Sequence, residues 1–326
     1  VTSERASAFS HYEESHMTDL RDRYAGVLLG LATGDALGGP LEFMSPDEIV
    51  QRYGGPVRDM VGGGWLYLRP GETTDDTATA RCLAESLVAR GAFDADDFVA
   101  RMLAWLDTNP KDVGTITRMA LGNWSRGLRG RDAAHAAHIS LGGKSAGNGT
   151  IMRCAPLALH YRTDEAALIA AARAEAETTH FDAEAWASGI ALCLMLRALL
   201  EGAEPRAAVE AAIERLAHIP DASPSVASTL RAALGRRGDE GLGTSGYVLH
   251  TLEGAAWLLV ASPSLEALLV RGVNLGGDAD TLGAVAGALA GAHWGASAIP
   301  ARWLSALQGR AELEALAEQL YAQASP

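Results

Sequence analysis

Two short acidic clusters could carry chemistry. The first is Thr73-Thr74-Asp75-Asp76-Thr77, ahead of a predicted helix over 77–88. The second is Gly276-Gly277-Asp278-Ala279-Asp280-Thr281, ahead of another over 282–292. A single acid at a helix N-terminus is an ordinary cap, stabilised by free N–H groups and the helix dipole. Two acids and a hydroxyl at both starts gather more negative charge than capping needs. Carboxylate and hydroxyl oxygens suit hard divalent ions such as magnesium or manganese. Two such clusters offer enough oxygens for two cations sharing a bridging ligand. No His/Cys set of the kind zinc favours accompanies them. His135 and His138 form an HxxH pair without a third ligand motif and read as a solvated helix face.

Glycine-rich loops lie elsewhere, at Val61–Trp65 and Leu141–Gly149. The second contains Gly143-Lys144-Ser145 but lacks the upstream glycine of a P-loop. A softer role remains open, since backbone N–H groups of such loops can cradle phosphate.

Taken in order along the chain, several segments resemble the ADP-ribosylglycohydrolase family. They are Gly30–Gly38, Leu41-Glu42-Phe43, Thr74-Asp75-Asp76-Thr77, Gly147-Asn148-Gly149 with Met152-Arg153, Thr179-His180, and Gly276–Thr281. The similarity runs from about Tyr24 to Leu307 and is strongest to the bacterial branch that acts on nitrogenase reductase. Either acidic motif alone would be weak; the pair, about 200 residues apart, is specific.

The resemblance implies an all-α, orthogonal helical domain with a central dinuclear cleft for two divalent cations, Mg²⁺ or Mn²⁺. It assigns Thr74, Asp75, Asp76, Asp278, Asp280 and Thr281 as metal ligands. Asp112 and Glu42 become the general acid/base residues, and Asn148, Gly149, His180 and Tyr247 the ADP-ribose contacts. One position departs from the bacterial pattern: Thr115 stands where Asn is expected. The implied reaction removes ADP-ribose from a modified arginine on a target protein. Two other readings stand beside it. One is hydrolysis of another ADP-ribose linkage or a phosphoester. The other is an antitoxin that neutralises an ADP-ribosyltransferase toxin by binding through residues 1–18, with or without hydrolysis.

Helices must position these groups. Phe98, Val99, Met102, Leu103 and Leu106 share one helical face after Asp94. Ser45-Pro46-Asp47-Glu48 is a capping box with proline at the first helical position. Segments 164–175, 183–201, 205–217 and 223–236 have helical spacing, and Ser262-Pro263 is expected to start another helix. Strand alternation is scarce. The expectation is one all-α domain over 19–326, preceded by a polar extension over 1–18.

Glycines recur every four residues at 26, 30, 34 and 38, and again at 283, 287, 291 and 295. Each costs roughly 0.5–1 kcal/mol relative to alanine inside a helix. Close approach of two central helices would compensate.

Composition narrows the partners. Among 326 residues, 40 acids against 27 Lys and Arg give a formal charge of −13. That disfavours general nucleic-acid binding and polybasic docking on anionic membranes. Two bound divalent ions would bring the charge to about −9. The three cysteines, Cys82, Cys154 and Cys193, lie in apolar runs and read as buried free thiols, in keeping with a reducing cytoplasm. The first 16 residues lack an apolar signal core, and no transmembrane segment is expected.

Overall fold

A computed structural model describes the backbone of residues 2–324 and the side chains of residues 20–324. The polar extension expected over 1–18 therefore lies outside the described side chains. All regular elements among the described residues are helical, as the periodicity predicted.

The architecture is built on two helices. α1 (Thr2–Gly38) runs antiparallel to a late helix, Ala279–Trp294, with the two glycine stripes face to face. Gly26 meets Gly291, Gly30 meets Gly287 and Gly34 meets Gly283, each through backbone carbonyls. A Cβ at any of them would overlap the opposing backbone, which cannot move aside as a side chain can. Gly295 has another role. It ends the late helix with φ +80°, beside the Asp22 carboxylate.

The consequence is testable by calorimetry. Gly30→Ala is expected to lower stability by about 3 kcal/mol, the upper range for overpacking. Gly122→Ala, in a helix where nothing lies within 4 Å of the added carbon, is expected to raise stability by about 0.5–1 kcal/mol.

Between the pair, the chain continues as α2 (Pro46–Tyr53), α3 (Asp75–Arg90), α4 (Ala95–Leu106), α5 (Thr115–Ser125) and α6 (Gly130–Ser140). It goes on through α7 (Ala155–His160), α8 (Glu165–Ala176), α9 (Ala183–Leu200), α10 (Pro205–Leu216), α11 (Pro224–Gly235), α12 (Val248–Ala261) and α13 (Leu265–Val273). The late glycine-striped helix is α14 (Ala279–Trp294), followed by α15 (Ala301–Ala306) and α16 (Arg310–Ala324). Ser45 accepts from Glu48 N–H while Glu48 reaches back to Ser45 N–H, so the capping box forms. Asp94 caps α4 by accepting from Asp97 N–H. The helix expected from Ser262-Pro263 begins later. Ser264 caps it by accepting from Ala267 N–H, and Pro263 stays outside.

α9 is long and apolar enough to cross a membrane, but 78% of it is buried within this core, which makes it a central packing helix. All three cysteines are buried free thiols.

Candidate active site

Both acidic clusters sit where loops enter the central helices. Thr74 is the N-cap of α3, so Asp75 and Asp76 occupy its first turn. Asp278 holds the N-cap position of α14 but makes no side-chain capping bond. Its carboxylate instead accepts from Asn148 Nδ2 at 2.7 Å. Gly276 and Gly277, with φ +68° and +66°, make the turn before it. A Cβ at either would strike Met44 O or Thr244 O, so glycine is required there.

The clusters meet. Thr281 Oγ1 donates to Asp76 Oδ2 at 3.5 Å, and Thr74 Oγ1 donates to the same oxygen at 3.3 Å. Glu42, Asp75, Asp76, Asp112, Asp278 and Asp280 all line one cleft of about 390 Å³. Glu42, Asp112 and Asp280 offer oxygens within 4.8 Å of one another. Asp75 accepts Gly114 N–H at 3.1 Å. The loop carrying Asp112 is thereby tied to the start of α3.

Burial sets the electrostatics. It pushes Asp75 up to about 7, with the negative charge of Asp112 adding to the rise. It pushes Glu42 up to about 8 against the opposing bond from Trp65, with Asp112 and Asp278 raising it further. Asp76 and Asp280 are driven well above the usual carboxylate range, first by burial and then by neighbouring acids. Asp76 Oδ1 and Asp280 Oδ1 are buried without a hydrogen-bond partner. Unpaired buried carboxylate oxygens are costly unless a cation satisfies them. Oxygen-only donors, crowded and unpaired, fit a hard divalent ion. They do not resemble the nitrogen and sulfur sets typical of structural zinc sites.

Asp35 completes the cluster from behind and was not singled out by sequence as a site residue. It is fully buried on α1 and accepts from Thr74 N–H at 2.9 Å and Thr77 N–H at 3.0 Å. A carboxylate on an otherwise apolar helix, between Gly34 and Gly38, was the available signal. Trp65 was also missed as a site residue. Gly62, Gly63 and Gly64 all have positive φ, and paired bonds between Gly63 and Leu68 close the loop around it. Its Nε1 donates to Glu42 Oε2 at 2.6 Å.

The expected ADP-ribose contacts divide. Gly149 and His180 line the cleft, but His180 is only 2% exposed and packs under Gly147 and Gly149. Arg153 donates to Thr179 Oγ1, which leaves the Thr179 hydroxyl proton for His180 Nδ1. Burial, with the Arg153 charge, pushes His180 down to about 3 and keeps the ring neutral. Asn148 is committed, its N–H to Gly246 O and its amide to Thr251 and Asp278. Tyr247 supplies no lining to this cleft. Its hydroxyl donates to Glu184 at 2.6 Å, while its neighbour Gly246 lines the cleft. The HxxH pair is otherwise engaged, His135 against the Phe181 ring and His138 with Ser145.

Known proteins resemble the chain over most of its length. The ADP-ribosylglycohydrolase family model matches residues 16–326. The ADP-ribosyl-[dinitrogen reductase] glycohydrolase of Rhodospirillum rubrum is 37% identical over 90% of this chain and 93% of its own length. The ADP-ribosylarginine hydrolase Tri1 of Serratia proteamaculans (strain 568) is 34% identical over 92% of this chain and 79% of its own. A solved structure described as an ADP-ribosylglycohydrolase-related protein complex superposes with a TM-score of 0.81 at 39% identity, covering 94% of this chain and 100% of that one. The chain belongs to the ADP-ribosylglycohydrolase family.

Proposed function

We propose that the protein removes ADP-ribose from ADP-ribosylated arginine of a target protein, using two divalent cations, magnesium or manganese. The observation that carries the reading is the crowding of six carboxylates in one cleft, with two buried oxygens left unpaired. The similarity to the Serratia relative, an ADP-ribosylarginine hydrolase, supports arginine as the linked residue.

Thr74, Asp75, Asp76, Asp278, Asp280 and Thr281 would hold the cations. Bound there, they supply positive charge that polarises sugar oxygens and offsets the carboxylates. The chain's own groups do the rest. Glu42, oriented by Trp65 and kept protonated by its burial, gives its proton to the guanidine nitrogen as the C1′–N bond breaks. Asp112, half-buried beside Glu42, takes a proton from the water whose oxygen adds to C1′. The products are free arginine side chain and ADP-ribose. Asn148 orients Asp278 rather than touching phosphate, which leaves Gly147 and Gly149 as the backbone of a phosphate-side loop resting on His180.

A substrate panel tests the assignment. Peptides ADP-ribosylated on arginine or serine, an ADP-ribose ester and a phosphodiester are incubated with the metal-loaded protein. Release from the arginine peptide at the highest kcat/KM is expected. Preference for an oxygen-linked substrate or the phosphodiester would contradict it.

A further inference from the structure

Two aromatic side chains line the acidic cleft and remain open to solvent. Phe43 is 68% exposed and Trp65 is 48% exposed. Their ring centroids lie 5.5 Å apart at an interplanar angle of 40°. They are coupled to the reacting end of the cleft. Phe43 follows Glu42 in sequence, and Trp65 donates to the Glu42 carboxylate.

The backbone holds Phe43 there against its preference. Its φ is +63°, a left-handed conformation disfavoured for a bulky residue. Phe43 N–H donates to Gly277 O at 2.6 Å, and Gly277 N–H donates to Met44 O at 2.8 Å. These bonds fix the aromatic residue to the turn that carries Asp278 and Asp280. Strain maintained in this way, at an exposed ring beside a functional cleft, points to a ligand contact.

The surrounding charge says which ligand. Aromatic faces are negative and attract cations, and the cleft beside them is lined by carboxylates. A guanidinium is planar, weakly hydrated and stacks on such rings. We propose that Phe43 and Trp65 bind the guanidinium of the departing arginine, making the pair the element that favours arginine-linked substrates. The proposal rests on the function proposed above and adds the residues that read the leaving group. A neutral hydroxyl leaving group has no charge for the rings to attract.

Steady-state kinetics of Phe43→Leu and Phe43→Tyr test it on the metal-loaded protein. Leucine keeps apolar bulk and removes the ring. For an ADP-ribosylated arginine peptide, Phe43→Leu is expected to raise KM about five- to thirtyfold, the effect of losing a cation–π contact of about 1–2 kcal/mol, with kcat nearly unchanged. The inhibition constant of free ADP-ribose, which has no guanidinium, should not move. Phe43→Tyr should restore the wild-type KM. Phe43→Asn, whose side chain tolerates a left-handed backbone, should match Phe43→Leu and separates ring loss from strain. An unchanged KM in Phe43→Leu, or an equal loss of ADP-ribose affinity, would overturn the guanidinium contact alone. A wild-type protein that releases nothing from the arginine peptide would overturn the proposed function with it.

Discussion

Stripping divalent cations from the protein is expected to lower its unfolding midpoint, and more so at pH 8 than at pH 6.5. A site saturated at a hundredfold excess over Kd adds about 2.7 kcal/mol to stability. For a chain of this size that corresponds to a shift of roughly 4 °C per ion. The pH dependence follows from the carboxylates. Glu42 and Asp75 are pushed up to about 8 and 7 in the folded protein by burial and by each other's neighbours. Unfolded, they would titrate near 4.

Between about pH 4 and 8 the metal-free native state therefore binds more protons than the unfolded state. Stability then falls as pH rises. His180 acts in the opposite sense below about pH 6.5, because burial keeps it neutral when folded. Above pH 6.5 this opposing contribution fades, and toward pH 8 the carboxylates dominate. Scanning calorimetry of chelated protein should show the midpoint falling across that interval, and added Mn²⁺ should flatten the slope. A chelated protein whose midpoint is the same at both pH values would contradict the electrostatic account of the cleft.

The second large effect is expected from Asp280→Asn. The substitution removes a buried carboxyl whose charged form burial, Asp278 and Asp76 all disfavour. Without cation, the variant should be more stable than the wild type, the usual trade between stability and a functional site. Release of ADP-ribose should fall at least a hundredfold. Even groups that only orient a metal's ligands cost ten- to a hundredfold when lost. The same variant should lose most of the cation-induced rise in midpoint. Opposite movements of stability and activity distinguish a ligand from a packing residue, whose loss would lower both. Asp280→Asn with wild-type turnover would remove Asp280 from the proposed ligand set.

Much of this architecture was legible because its constraints are local. Glycines spaced by four on two helices imply close backbone contact, and the pairs 26–291, 30–287 and 34–283 make it. The acidic motifs announced themselves by exceeding what a helix cap requires. Asp278 illustrates this, since it stands at the cap position yet spends its carboxylate on Asn148. What escaped depends on side-chain direction and long-range partners. Tyr247 is adjacent to the cleft in sequence, but its ring turns outward to Glu184, far away in the chain. Asn148 sits on the glycine loop, but its donors are used within the protein. Trp65 joins the site through a bond to Glu42, in a loop bent by three glycines, and no periodicity records such a bond.

In the proposed function, this carboxylate cleft frees ADP-ribose from arginine with the help of divalent cations. The most direct measurement is chromatographic quantification of free ADP-ribose from an ADP-ribosylated arginine peptide. Metal-stripped protein is assayed first, then the same sample after Mn²⁺ or Mg²⁺ is restored. Stripped protein is expected to release nothing above background, and restoration to give sustained release. Full release by stripped protein, or none after restoration, would contradict the proposed function.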